Sequence, residues 1–218
     1  INIALKKYKY PKGFKLPKGS DVKTIEELFS QKQLAQLSFL KYLILKEGDV
    51  NIRKNLLLAF SSTLTKINLT YHSSSSRDEN AGNAAPFAYY RYRVAGENVD
   101  LDLISSFTTK YRKLLNAKKD IEPKINFSTI DNLKIVKGTA TDLSWIKNES
   151  VDYIYTDPPY GKKIPYLALS VMWTAWLDLK VTKKDFELEA IEGGEHNKTK
   201  EDYNFLISKS IEEMYRVL

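Results

Sequence analysis

The residues most suited to catalysis or ligand binding in this chain are Asp157-Pro158-Pro159-Tyr160. At average amino-acid usage this tetrapeptide is expected by chance in roughly one chain in a thousand of this length, so its presence favours a functional origin. It follows the apolar run 151–156, which is typical of a strand buried on both faces of a parallel sheet. Asp157 is therefore predicted at the carboxyl end of a strand, the edge at which open α/β sheets bind ligands. The two prolines keep Asp157 out of helical backbone and stiffen the loop.

A rigid loop that presents a carboxylate, backbone carbonyls and an aromatic ring suits the methylation of an exocyclic amine. The nitrogen of an aminopurine or aminopyrimidine is a poor nucleophile because its lone pair is delocalised into the ring. Acceptance of its N–H groups by Asp157 and a backbone carbonyl favours a pyramidal nitrogen, and the Tyr160 ring holds the base in place. A base inside a duplex must be flipped out to reach such a pocket. The alternative is a proline-stiffened β–α turn with an incidental Asp and Tyr.

Further motifs accompany the tetrapeptide. They are Leu28-Phe29-Ser30-Gln31-Lys32-Gln33-Leu34 with Leu37 and Ser38, Gly138-Thr139-Ala140, Ser150-Val151-Asp152 through Tyr160, Pro165-Tyr166, Leu169-Ser170, Trp176-Leu177, and Glu213-Met214-Tyr215-Arg216-Val217-Leu218. With these motifs the chain resembles the amino-directed (DPPY-motif) DNA methyltransferases that use S-adenosylmethionine, and within them the large adenine-specific DNA methylases of bacteria and archaea. The likeness runs from about residue 25 to the end of the chain, with gaps between its parts. It implies methyl transfer to N6 of adenine in DNA, with S-adenosylmethionine as cofactor.

The resemblance also implies a set of site residues. Asp157, Pro158, Pro159 and Tyr160 correspond to the catalytic motif, and Asp157 is expected to contact the cofactor as well. Thr139 stands where family members often carry an acid, and Asp142 is the nearest carboxylate. We therefore take Thr139 and Asp142 as cofactor-binding candidates, although Asp142 is equally suited to cap a following turn.

Three residues beyond the motif are candidates for contacts with nucleic acid. Lys162 and Lys163 follow the catalytic loop and are placed to meet DNA phosphates beside the flipped base, with a solvated loop as the alternative. Tyr166 is a candidate for lining the base pocket, and a packing role is an equal alternative.

One family motif is missing. The glycine-rich run, DPFAGGG or similar, that cradles the methionine part of the cofactor does not occur in this chain. Because the family carries it before the helical block, we expect it upstream of Ile1, and we expect the chain to be a fragment that does not bind the cofactor unaided.

Two other functions remain open at this stage. One is a tRNA guanine-N2 methyltransferase, because such enzymes also carry T-D-P-P-Y-G followed by a basic residue. The block from Leu28 to Ser38 and the later Pro165-Tyr166 to Trp176-Leu177 run favour the DNA enzyme. The other is a non-catalytic fragment that binds nucleic acid.

A mainly helical segment and an α/β segment are expected to position the loop. Residues 1–23 read as a basic arm or linker, and residues 24–120 as a mainly helical segment with a mobile polar loop near 72–84. Thr24 with Glu27, Ser30 with Gln33 and Thr199 with Asp202 have the spacing of capping boxes. Within 121–218 the strand-like runs KINFSTI, LKIVKGTA and VDYIYTD alternate with helical runs. This alternation predicts an α/β fold with a parallel, Rossmann-like methyltransferase sheet, incomplete in this chain.

Composition and charge exclude several classes of protein. The 218 residues contain no cysteine, which excludes a disulfide framework and any cysteine-ligated zinc or iron–sulfur site. The two histidines leave little for a histidine-based metal cluster or a serine–histidine triad. No apolar run approaches the length of a membrane span, no secretory signal opens the chain, and a cytoplasmic protein is expected.

The charge is unevenly distributed along the chain: residues 1–54 hold 12 Lys and Arg against 5 Asp and Glu, whereas residues 55–218 hold 22 Lys and Arg against 22 Asp and Glu. Lysines interleaved with Tyr8, Tyr10 and Phe14 suit phosphates and unpaired bases, with a solvated lead-in as the alternative.

Overall fold

Two compact units make up the chain. The computed structural model describes residues 1–71, 87–88, 90–96, 98–125, 132–162 and 164–218. The first unit comprises Ile1–Asn126 and Leu169–Lys180, and the second comprises Phe127–Ala168 and Val181–Leu218. The chain therefore leaves the first unit, enters the second, and returns to the first for twelve residues before its final segment.

Helices are the main regular elements of the described residues. They are α1 (Asn2–Lys7), α2 (Gln31–Leu45), α3 (Val50–Leu64), α4 (Leu103–Ile121), α5 (Tyr166–Leu169), α6 (Val171–Trp176), α7 (Lys183–Leu188) and α8 (Lys200–Val217), with short 3₁₀ turns at Ile25–Leu28 and Glu122–Lys124. Strands β1 (Phe87–Ala88) and β2 (Arg91–Tyr92) pair antiparallel, with Phe87 opposite Tyr92.

The start of α2 was predicted correctly. The Ser30 hydroxyl accepts the backbone N–H of Gln33 at 3.1 Å, and the Gln33 side chain accepts the N–H of Ser30 at 2.9 Å. This reciprocal pair satisfies two N–H groups that otherwise have no partner at a helix end. The capping box predicted at Thr24 is wrong: its hydroxyl donates to Glu27, and only the 3₁₀ turn follows because the backbone at Phe29 is extended.

Trp176 is the largest buried side chain of the first unit. It is fully buried, and its ring packs edge-on against Phe29 and Phe60 at centroid distances of 5.5 and 5.8 Å. Their helical spacing in an apolar segment predicts that Trp173 and Trp176 both pack in the core. Trp176 is buried as predicted, whereas Trp173 is half-buried and donates its indole N–H to the carbonyl of Ser61. Helix α6 therefore joins the helical unit, although the sequence grouped it with residues 121–218.

An ion pair fixes the end of the returning segment. The ammonium of Lys41, on the buried face of α2, lies 2.6 Å from the carboxylate of Asp178. Asp178 has a positive φ of 54°, a conformation that favours glycine or a short polar residue. Its carboxylate also lies 3.5 Å from the ammonium of Lys9, so the segment after α1 and helix α2 both contact the acid that follows α6.

The N-terminal 23 residues are not extended throughout. Asn2–Lys7 is helical, and Tyr8, which follows it, packs against Phe39 and Tyr42 of α2. Further on, Lys15 and Thr24 form an antiparallel bridge. Contacts with α2 therefore hold a segment that the proline and glycine pattern alone predicted to be an arm or linker.

The second unit contains most of α5 and helices α7 and α8, and its described residues include no strand. Helix α8 begins at the predicted capping box, in which Thr199 and Asp202 bond reciprocally. The runs 133–138 and 151–157 have no strand partner within the described residues, and Ile135, Tyr153 and Tyr155 are strongly exposed. A strand forms only where a neighbour supplies ladder hydrogen bonds, so the parallel, Rossmann-like sheet stays a prediction. The run KINFSTI and the loop near 72–84 lie largely or wholly outside the described residues.

No described helix is both long enough and apolar enough to cross a lipid bilayer.

Replacement of Trp176 tests this account of the first core. Trp176→Ala is expected to lower the free energy of unfolding by about 3–5 kcal/mol because it leaves a cavity between Phe29 and Phe60. Trp176→Phe is expected to be milder, because it keeps a ring and removes a buried indole N–H that has no acceptor among the described residues. Denaturant unfolding measures both, with Trp145→Ala at a half-exposed position as the control. Equal losses for Trp176→Ala and Trp145→Ala would contradict the packing argument.

Candidate functional site

The Asp157–Tyr160 loop is bonded at both its ends. The Tyr160 hydroxyl donates to Oδ1 of Asp157 at 2.7 Å, a bond that raises the pKa of Tyr160. The hydroxyl of Tyr203, in the first turn of α8, donates to the carbonyl of Pro159 at 2.8 Å. Gly161 follows with a φ of +54°, which glycine adopts without strain, and its carbonyl accepts the N–H of Glu192. Asp157 itself is exposed at the surface of the second unit.

A cavity of about 340 Å³ lies behind this loop, within the size range of small-molecule sites. Its polar wall consists of the loop and the turn around residue 140. The lining residues are Thr139, Ala140, Thr141, Thr156, Asp157, Pro158, Pro159, Leu188, Ala190, Leu206, Ile207, Ser210, Ile211 and Met214. A mainly apolar enclosure with one carboxylate and several hydroxyls is the composition expected of a site that holds a small organic molecule in one orientation.

One face of α8 forms the apolar wall. Leu206, Ser210 and Met214 recur at intervals of four residues, the spacing that places side chains on one side of a helix. Tyr203 lies one turn earlier on the same face and supplies the hydroxyl that holds Pro159. Helix α8 therefore forms one wall of the cavity and also bonds the Asp157–Tyr160 loop.

The opposite end of α8 fixes the turn that carries Asp142. Glu213 accepts the backbone N–H of Leu143 at 2.8 Å, and Arg216 donates to Glu213, to the carbonyls of Leu143 and Ile146, and to Asn148. The Arg216 guanidinium and the Leu143 N–H hold the pKa of Glu213 at about 2, below its ordinary 4.5. Backbone bonds from Ser150 and Val151 to the carbonyl of Val217 continue this attachment to the start of the apolar run. We call Glu213, Arg216 and their partners the helix-end clamp.

Four of the predicted site residues meet at the cavity, and the other candidates that the structure describes do not line it. Thr139, Asp157, Pro158 and Pro159 all contribute to its wall. Asp142 is absent from the wall; its carboxylate accepts the N–H of Ser144 at 3.1 Å, which matches the turn-capping alternative. Hydrogen bonds from the side chain and the backbone of Ser144 lower the pKa of Asp142. Tyr160 also lies off the wall, and most of its surface is exposed.

The predicted nucleic-acid contacts are exposed where they are described. The Lys162 ammonium lies 2.9 Å from the carboxylate of Glu192, which raises the pKa of Lys162. Tyr166 begins α5 with about half its surface exposed. Lys163 lies outside the described residues.

Sequence reasoning missed the part played by α8. The spacing of Tyr203, Leu206, Ser210 and Met214 predicts a common helix face, but no pattern in the sequence says that the loop at 157–160 packs beside it. Glu213 and Arg216 belong to a motif of the resemblance, yet their hydrogen bonds to residues 143–148 depend on tertiary structure.

The chemistry available at this site is that of a carboxylate, hydroxyls and backbone carbonyls. Among the described residues no three His, Asp or Glu side chains are grouped to hold a metal ion. Asp157 is an acceptor for an amine or a cationic group, and the apolar wall is suited to a methylene or ring surface.

Comparison with known proteins found no matching family model, no matching curated protein and no matching solved structure.

Substitution of Glu213 tests the helix-end clamp. Glu213→Gln is expected to lower the melting temperature at pH 7, whereas Glu212→Gln, at an exposed position on the same helix, leaves it unchanged. Because folding lowers the pKa of Glu213, its stabilising effect is full above pH 4.5 and is lost as the pH falls toward 2. The difference between wild type and Glu213→Gln in a thermal unfolding series should therefore shrink across that range. A difference that stays constant from pH 7 to pH 3 would contradict the assignment.

Proposed function

We propose that this chain carries the catalytic loop of a DNA methyltransferase that transfers a methyl group from S-adenosylmethionine to an exocyclic amino group, most favourably N6 of adenine. The observation that supports it best is the meeting of Asp157, Pro158 and Pro159 with Thr139 in one cavity. The sequence predicted a role for both segments, although some twenty residues separate them in the chain. A turn with an incidental Asp and Tyr would not explain why these two segments line the same cavity.

Asp157 acts on the substrate nitrogen. Its carboxylate accepts one N–H of the amine and a carbonyl of the proline pair accepts the other, which directs the lone pair out of the ring plane. Both bonds strengthen as positive charge develops on the nitrogen, so they stabilise the transition state more than the bound substrate. Asp157 is also the acceptor to which the surplus proton passes once the nitrogen has gained its new substituent.

Tyr160 has two roles in this proposal. In the structure its hydroxyl holds Oδ1 of Asp157, so the carboxylate is oriented before a substrate arrives. Its ring is largely exposed, and it offers a face on which a flipped base stacks.

The residues around the cavity fit the proposed cofactor. S-adenosylmethionine supplies an electrophilic methyl group on a positively charged sulfur. The Asp157 carboxylate would balance positive charge, Thr139 and Ser210 would hydrogen-bond polar groups, and the α8 face would contact the apolar parts.

Lys162 is available to a DNA phosphate despite its ion pair. Its side chain is 74% exposed where it meets Glu192. An exposed pair of this kind contributes at most about 1 kcal/mol, so a nearby phosphate competes for the ammonium.

Loss of the carboxylate tests the catalytic role of the loop. In the full-length protein, Asp157→Ala is expected to abolish methyl transfer to adenine-containing DNA while DNA affinity changes by no more than a few-fold, because the lost bonds act mainly in the transition state. Asp152→Ala removes another exposed carboxylate of the same run and serves as the control. Transfer of radioactive methyl groups and DNA titrations measure the two effects. Undiminished turnover in Asp157→Ala would refute the proposal, and transfer to tRNA instead of DNA would replace the proposed substrate.

Two changes at Tyr160 separate the ring from the hydroxyl. Tyr160→Phe keeps the stacking face and is expected to have a mild effect, whereas Tyr160→Ala removes it and is expected to lose about 1–3 kcal/mol of base binding. Fluorescence of 2-aminopurine at the target position reports base extrusion alongside the transfer rate. Equal damage from both changes would assign the main role to the hydroxyl bond with Asp157 instead.

A further inference from the structure

Three aromatic rings meet on the surface of the first unit. The ring of Tyr8, directly after α1, lies 5.1 Å from that of Phe39 and 4.8 Å from that of Tyr42, both on α2. Phe39, Tyr42, Leu43 and Lys46 are spaced three and four residues apart, so they form one stripe along that helix. We call Tyr8, Phe39, Tyr42 and the two lysines beside them, Lys7 and Lys46, the aromatic–lysine surface.

This stripe is exposed although the opposite side of α2 is buried in the core. Phe39 is 43% exposed, Tyr42 36% and Leu43 48%, whereas Leu37 and Ile44 of the same helix are buried. Single exposed apolar residues are ordinary on protein surfaces, but a contiguous set of aromatic rings marks an interaction site.

Two lysine ammonium groups lie over aromatic rings of this surface. The Lys46 ammonium is 4.7 Å from the centre of the Tyr42 ring, and the Lys7 ammonium is 5.6 Å from that of Tyr8. Within the described residues neither ammonium has a carboxylate within 4 Å, in contrast to Lys9 and Lys41, which both pair with Asp178. The whole net charge of +7 arises in residues 1–54, which contain this surface.

We propose that the aromatic–lysine surface binds single-stranded nucleic acid, with unpaired bases stacked on Tyr8, Phe39 and Tyr42 and with Lys7 and Lys46 on the phosphates. Ring faces and ammonium groups in alternation match the alternation of bases and phosphates along a strand. A stacked base is worth more than an exposed cation–ring contact, so each lysine is released to a phosphate when a base takes its place. Bases in a duplex present no free face to these rings, which is why the partner is single-stranded.

The pattern of charge favours nucleic acid over a lipid surface. A helix that lies in a membrane interface has its aliphatic side chains together in the middle and its lysines along the polar edge. Here the ammonium groups lie over the aromatic rings themselves.

The inference goes beyond the proposed methyl transfer and does not depend on it. The aromatic–lysine surface belongs to the first unit, whereas Asp157 belongs to the second. An inactive Asp157→Ala protein should therefore bind a single strand as well as the wild type does.

The experiment compares two labelled strands by fluorescence anisotropy. One is an oligothymidine of about twelve nucleotides, within the range of known single-strand sites, and the other is an abasic strand of the same length. The full chain is expected to bind the base-bearing strand more tightly by a factor of about five to a hundred, because both strands carry the same phosphates. Tyr42→Ala should reduce that preference strongly, Tyr42→Phe should preserve it, and Lys46→Gln should lower the salt slope by about 0.7.

Tyr111→Ala is the matched control. Tyr111 lies on α4 of the same unit and is 38% exposed, close to the value for Tyr42, but it lies outside the aromatic–lysine surface. This variant should bind the base-bearing strand as the wild type does, and circular dichroism verifies that each variant is folded. Equal binding of the two strands would overturn the proposal. In parallel titrations, tighter binding to a DNA duplex of the same length, or binding to vesicles of anionic lipid but not to the strand, would also overturn it. An equal loss in Tyr42→Ala and Tyr111→Ala would also overturn it.

Discussion

The burial of Trp176 is the constraint on which the organisation of this chain depends. Its ring contacts Phe29 and Phe60, residues more than a hundred positions earlier, and it draws the segment 169–180 into a core that the first 126 residues build. Both ends of the segment 127–168, which carries the Asp157 loop, are therefore joined in the chain to residues of the first unit. The ion pair of Lys41 and Asp178 also holds the segment 169–180 in the first unit. Because the Lys41 side chain is buried, loss of the Asp178 carboxylate would leave a buried charge without its partner.

Within the second unit, helix α8 takes the organising role. Its first turn bonds Pro159 through Tyr203, its middle lines the cavity, and its last turn holds residues 143–148 through Glu213 and Arg216. The two segments that supply Thr139 and Asp157 are therefore aligned by one rigid element. Such alignment matters for the proposed reaction, since acceptors that are already oriented need no reorganisation when charge develops on the substrate.

The two proposals assign different parts of nucleic-acid chemistry to the two units. The Asp157 loop would act on one base, and the aromatic–lysine surface would hold a strand without reading its sequence. The distribution of charge agrees with this assignment, because the net positive charge lies in residues 1–54 and the remainder of the chain is balanced. Long-range attraction of a polyanion therefore acts mainly on the first unit, and it should weaken as salt screens the charges.

Short-range patterns in the sequence determined much of the local structure. The capping boxes at Ser30 and Thr199, the mainly helical segment that contains α2, α3 and α4, and the burial of Trp176 follow from spacing and side-chain chemistry, and all are present. The sequence also named Asp157, Pro158, Pro159 and Thr139, which tertiary structure brings to one cavity. Only the tertiary structure decided that Asp142 caps a turn, that α6 joins the first core, that residues 2–7 are helical against α2, and that α8 forms the cavity wall. The reason is physical: caps and periodicity act within one or two helical turns, whereas these outcomes depend on which distant segment offers a hydrogen bond or an apolar face.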